Sequence, residues 1–144
     1  MAEQNYSNHK QVVPVFHQVL FPILVLTLIG SVVNLVESVN DHQRLYSASL
    51  IVVLSVASVL MWFFCRIFPV KAQDRAIRAE ENLRHFAMTG KLLDPRLTVR
   101  QIVALRFASD GEFVALAKKA ADAGTSPDDI KRSIQNWRAD TYRV

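Results

Sequence analysis

Of 144 residues one is cysteine, Cys65, and four are glycine. A lone thiol cannot close an intramolecular disulfide, which excludes a stapled secreted fold. Cys65 itself reads as a small apolar residue of a helix, with lipidation near a membrane edge as the alternative. The few glycines build no phosphate-binding loop, and HExxH, CxxC and GxSxG motifs are absent. His9, His17, His42 and His85 are scattered along the chain. No nucleophile, acid–base pair or metal cluster is legible, so the sequence reads as non-enzymatic and without a cofactor.

Charge is the second scarcity. Val19 to Val36 has no charged residue in 18 positions, and Ser47 to Cys65 has none in 19. A helix needs about 20 apolar residues to cross a hydrocarbon core. Two spans are therefore predicted, over about 15–36 and 46–68. The mean hydropathy of +0.16 agrees, since a soluble domain of this length exposes too much polar surface to average above zero. A cleaved signal peptide fits poorly: residues 1–11 are not basic, the apolar stretch is too long, and no small-x-small site follows it. Trp62, Phe63 and Phe64 stand beside Arg66, where an interfacial aromatic belt belongs. Neither uncharged stretch, Val19 to Val36 or Ser47 to Cys65, contains Asp, Glu, Lys, Arg or His, which argues against an ion path.

Orientation follows from the flanks. The connection from Glu37 to Arg44 has one arginine, whereas Arg66, Lys71, Arg75, Arg78 and Arg84 follow the second span. Basic short flanks stay in the cytoplasm, which puts both termini inside. Arg66, Lys71, Arg75 and Arg78 are the candidate contacts to lipid headgroups. Within the hairpin, Thr27, Gly30, Ser31 and Asn34 share one helix face, and Ala48, Ser55 and Ser58 another. Small residues let backbones approach, so these faces are expected to pack together, with hydroxyl and amide groups bonding across. Residues whose numbers sum to about 82 should lie at equal depth, given a short connection near residue 41.

Beyond Pro69, which is expected to kink or break the helix, lies a predicted cytoplasmic domain over 71–144, the hairpin and N-terminal segment occupying 1–70. Its first helix, Lys71 to Thr89, ends at Gly90 and has an apolar stripe of Ala72, Ala76, Ala79, Leu83 and Phe86. That stripe is expected to pack on the helices that follow, a short homo-oligomeric contact being the alternative. Asp74 with Arg78 and Glu80 with Arg84 have the spacing of helical ion pairs. Three short helices come next, starting at Thr98 with Gln101, Ser109 with Glu112, and Ser126 before Pro127. Trp137 is seven residues past Ile130 on what reads as one helical stripe, hence the expected anchor of this small core; its alternative role is contact with a partner.

The opening QNYSNH, the run QDRAIRAEENLRHF, the segment ALRFASDGE and the ending SPDDIKRSIQNWRADTYRV together resemble an uncharacterised bacterial family of small two-span membrane proteins, a domain of unknown function. The resemblance covers nearly the whole chain and implies a bacterial inner-membrane protein, with no activity or site to carry over. The sequence thus reads as an all-α protein: a two-helix transmembrane hairpin followed by a small cytoplasmic helical domain, scaffold or adaptor for a protein partner or for its own copies in the bilayer. The other reading is a membrane-tethered regulator that binds nucleic acid through a degenerate helix-turn-helix over Glu112–Arg138. Against it, Lys119 and Ser133 occupy positions that the motif packs, and Asp128 and Asp129 open the second helix.

Overall fold

The computed structural model describes residues 4–9 and 11–140. All regular elements among them are helical, joined by a single isolated bridge between Ala108 and Trp137. The chain forms two compact units, Val12–Phe68 and the described parts of Met1–Gln11 with Pro69–Val144. The boundary lies beside the expected one, but the N-terminal segment belongs with the C-terminal helices rather than with the hairpin.

The first unit opens with a π-helical turn, Val15–Leu20, that runs into α1, Phe21–Glu37. Pro22 sits in the first turn of α1, where a missing N–H costs little. Residues 38–41 then turn the chain. The Ser38 N–H bonds back to the Asn34 carbonyl at 3.1 Å, and the Asp41 carboxylate accepts from the N–H groups of Gln43 and Arg44 at 3.1 and 3.3 Å. That cap starts α2, His42–Thr89, a helix of 48 residues. Pro69 lies inside it, so of the kink or break expected there the break does not occur. Proline removes one bond to the carbonyl four residues back, and the helix absorbs that loss.

Facing ends of the hairpin are fixed by aromatics. The Phe21 and Trp62 rings are 4.5 Å apart, and the Trp62 indole donates to the Phe16 carbonyl at 3.1 Å. Positions 21 and 62 sum to the expected register. The packed faces differ in part from expectation. Ala48 and Ser55 of α2 are buried and Ser58 half-buried, and on α1 Ser31, from the expected face, is buried together with the capping Ser38. Thr27, Gly30 and Asn34 are exposed, and a methyl group on Gly30 would meet nothing within 4 Å. Nor do the hydroxyls bond across the gap. Thr27, Ser31, Ser55 and Ser58 donate to Ile23, Leu28, Ile51 and Leu54 carbonyls of their own helices at 2.7 to 2.8 Å. A helix can satisfy these groups internally, so no partner is needed. Accordingly Ser55→Leu, which overfills a buried position, should lower thermal stability in detergent by about 1–3 kcal/mol, whereas Gly30→Leu should be tolerated. Equal melting curves for wild type and Ser55→Leu would refute this packing.

The second unit is built on the last turns of α2 with α3 (Val99–Leu105), α4 (Asp110–Ala123) and α5 (Pro127–Ser133). Local chemistry sets the boundaries. Gly90 and Gly124 adopt positive φ of 72° and 61°, conformations that L side chains resist, and end α2 and α4. Thr98 and Gln101 form the reciprocal capping box, and the Ser126 hydroxyl accepts from the Asp129 N–H at 3.1 Å. At α4 the box is not formed as expected: Glu112 turns instead to the N–H groups of Gln135 and Asn136, at 3.1 and 2.9 Å. The core consists of Ile102, Leu105, Phe107, Phe113, Ala117, Ala120, Ile130 and Ile134, joined by Leu93 and Leu97 from the loop after Gly90.

Trp137 is not helical. Ile134 has extended backbone angles, α5 has already stopped, and the chain turns to pair Trp137 with Ala108, the Arg138 N–H donating to the Phe107 carbonyl at 2.7 Å. The ring is half-buried against the edge of the core, 5.1 Å from Phe107. The largest fully buried side chains are Phe107, Phe113, Leu105 and Ile130, so Trp137 is not the anchor it was expected to be.

Candidate functional site

The most specific surface in the second unit is made by the N-terminal segment lying on α5. Asn5 shapes it locally, its carboxamide oxygen accepting from the Ser7 N–H at 2.9 Å. The turn presents Tyr6, whose hydroxyl donates to the Asp128 carboxylate at 2.8 Å and accepts from the Arg132 Nε at 3.1 Å. Arg132 also pairs with Asp128 at 2.9 Å and lies 5.3 Å over the Tyr6 ring. The Tyr6 hydroxyl foremost, with Arg132, holds the Asp128 carboxyl below its ordinary value. Three residues on, His9 is buried, with its ring 5.9 Å from both Phe107 and Trp137. Its Nδ1 lies 2.6 Å from the Tyr6 carbonyl and its Nε2 3.2 Å from the Lys131 ammonium. Gln4 completes the attachment by accepting from the Asp140 N–H at 2.7 Å.

A second centre is ionic. The Arg84 guanidinium, at 11% exposure, reaches Glu81 at 2.9 Å, the Ala108 carbonyl at 2.8 Å and Asp110, and sits 4.2 Å over the Phe113 ring. Glu81, 6% exposed, is flanked on its other side by Arg138 at 3.6 Å. Arg84 foremost holds the Asp110 carboxyl below its ordinary value. An open cleft of about 350 Å³ is lined by these groups and Glu80. A wider groove, about 600 Å³, runs between α4 and α5 past Leu116, Lys119, Arg132 and Gln135.

This ionic centre also decides which face of α2 is covered. Ile77 and Glu81 are buried and Arg84 and His85 half-buried, while the stripe expected to pack, from Ala72 through Phe86, is exposed. Arg84 has left its expected partner Glu80 for Glu81 and Asp110, and no ion pair joins Asp74 to Arg78. The proposed headgroup contacts all lie on α2: Arg66 is half-buried, and Lys71, Arg75 and Arg78 are exposed at steps of four and three on one face. Three of the four histidines serve the backbone, His17 bonding the Val13 carbonyl at 3.0 Å and His85 the Lys91 carbonyl at 2.7 Å beside His9 with Tyr6. Cys65 is exposed.

A family model for a family of unknown function, DUF6526, matches residues 1–144. The chain belongs to that family. No curated protein matches it, and no solved structure does. Membership agrees with the uncharacterised family that the sequence resembles, and it assigns no site. Sequence reasoning missed Tyr6 and His9, because an irregular six-residue segment has no periodicity, and with them Lys131 of α5, whose neighbour His9 lies in that segment. A signal was present in hindsight: Asn5, Ser7 and Asn8 are turn formers around a lone tyrosine.

Proposed function

We propose that this chain is an integral membrane protein whose apolar hairpin anchors a helical cytoplasmic adaptor domain, without chemistry of its own. The observation that carries the reading is exposure. Only 6% of the most apolar 18-residue window of Val15–Glu37 is buried, and 11% of that in α2. The core helix of a soluble protein would be covered by its own chain, whereas Ile23, Leu26, Val33, Leu50, Val53 and Leu54 face outward. Such surface is stable only in an apolar solvent, which a bilayer supplies. The N-terminal segment packing with the C-terminal helices supports an even number of crossings, and the positive flank after the second span supports a cytoplasmic location for both ends. Lys71, Arg75 and Arg78 suit anionic headgroups, at about 1 kcal/mol each. Its α4–α5 groove offers the adaptor surface, with a protein as the class of partner.

The nucleic-acid reading is less well supported. Only seven residues make up α5, and its Asp128, Lys131 and Arg132 face the chain's own Tyr6 and His9. Single cysteines at Ser7, Asn40 and Ala139 in a Cys65→Ser background test the topology. An impermeant maleimide applied to intact cells should label position 40 alone. Labelling of position 139 from outside would overturn the orientation, and a chain that labels at none of the three positions until the cells are opened would overturn membrane insertion.

A further inference from the structure

From Ala72 to Phe86 the surface of α2 bears a row of apolar side chains with no cover: Ala72, Ala76 and Ala79 are exposed, Leu83 is 68% exposed and Phe86 50%. The opposite side, through Ile77, Glu81 and Arg84, faces the second unit's own core, so the helix cannot turn to hide the row without breaking the Arg84 cluster. We propose that this row is the seam of a parallel homodimer, in which Arg75 of each copy pairs with Glu80 of the partner subunit.

The steps along the row alternate between four and three, the spacing that keeps side chains on one seam of a two-stranded coiled coil. Ala76 and Leu83 then take the a positions and Ala72, Ala79 and Phe86 the d positions. Alanines let the two backbones approach closely, and Leu83 and Phe86 fill the wider end. In this frame Arg75 stands at g and Glu80 at the following e. Parallel strands bring a g residue against the next e residue of the other strand, so the symmetric dimer gains two opposite-charge pairs. An antiparallel arrangement sets g against g and e against e, so Arg75 and Glu80 would not meet and this pairing would be lost. Charge thus selects a second copy, in parallel, as the occupant. Both side chains are exposed, and neither has an ion-pair partner among the described residues, in contrast to the adjacent Glu81, which Arg84 engages. Two heptads are fewer than the three to four that sustain a coiled coil alone. Association should therefore be weak for the dilute chain and strong where copies are concentrated in one bilayer.

The test uses the full-length Cys65→Ser chain in liposomes of neutral lipid, which removes any effect of Arg75 on anionic headgroups. Under mild oxidation Ala79→Cys should form disulfide-linked dimers, and Met88→Cys, off the seam, should not. Adding Arg75→Glu or Glu80→Arg should each reduce cross-linking at position 79 by about fivefold or more. Mixing those two charge variants under different tags should restore it, because each then meets its complement in the other. The proposal fails if position 79 cross-links no better than position 88, the result for a row covered by lipid or by a different protein. It fails equally if the mixture recovers nothing, since a general loss of folding or of membrane density cannot be rescued by a complementary charge.

Discussion

Phe113→Ala is expected to abolish amide-exchange protection across α3 to α5 in the detergent-solubilised chain while the hairpin stays protected. Phe113 is fully buried at the centre of the small core, beneath the Arg84 guanidinium and 6.0 Å from the His85 ring. Truncating such a side chain removes its transfer free energy and leaves a cavity, together about 3–5 kcal/mol. A core this small has little more stability than that to lose. Trp137→Ala should behave differently in the same experiment. Its ring is half-buried at the edge, over Phe107 and His9, so α3 to α5 should keep their protection and residues 4–9 should lose theirs. A fully protected Phe113→Ala domain, or a Trp137→Ala domain as unprotected as Phe113→Ala, would contradict this division between centre and edge.

What could be read in the sequence and what could not divide along the range of the forces involved. Helix starts at Thr98 and Ser126 and stops at Gly90 and Gly124 depend on contacts within a few residues, and they lie where the local chemistry put them. The two apolar helices were legible for a similar reason, because uninterrupted composition needs no knowledge of neighbours. Faces were harder. A helix apolar all round gives no contrast from which to choose a side, so the pattern groups Thr27, Gly30 and Asn34 with Ser31, and of these four Ser31 alone is buried. On the later turns of α2 the apolar stripe suggested the wrong side outright. There the choice belongs to Glu81 and Arg84, whose partners Asp110, Arg138 and the Ala108 carbonyl come from 24 or more residues away. Tyr6 and His9 were invisible for the same reason, their partners lying 122 and more residues away.

Arg84→Met should be as damaging as a core truncation, although it keeps an unbranched stem in place and adds no polar atom. The guanidinium satisfies Glu81, Asp110 and the Ala108 carbonyl at once, and methionine can bond to none of them. Glu81 is then left buried with Arg138 alone, at 3.6 Å. Removing one partner of a buried pair typically costs about 3–5 kcal/mol, because the remaining charge has lost both water and counter-ion. Glu81→Leu combined with Arg84→Met should recover a substantial part of that loss, since two apolar residues leave no charge to desolvate. The pH dependence supplies a separate readout. Arg84 depresses the folded-state pKa of Asp110, so the associated stability is present above the unfolded carboxylate value near 4 and is lost as pH falls through the folded value. Lowering pH from 7 toward 3 should therefore destabilise wild type through this pair, and the Arg84→Met chain should lack that component. Matched amide protection of wild type and Arg84→Met at neutral pH would show that the cluster only decorates α2, and the reason given for which face of that helix is buried would fall with it.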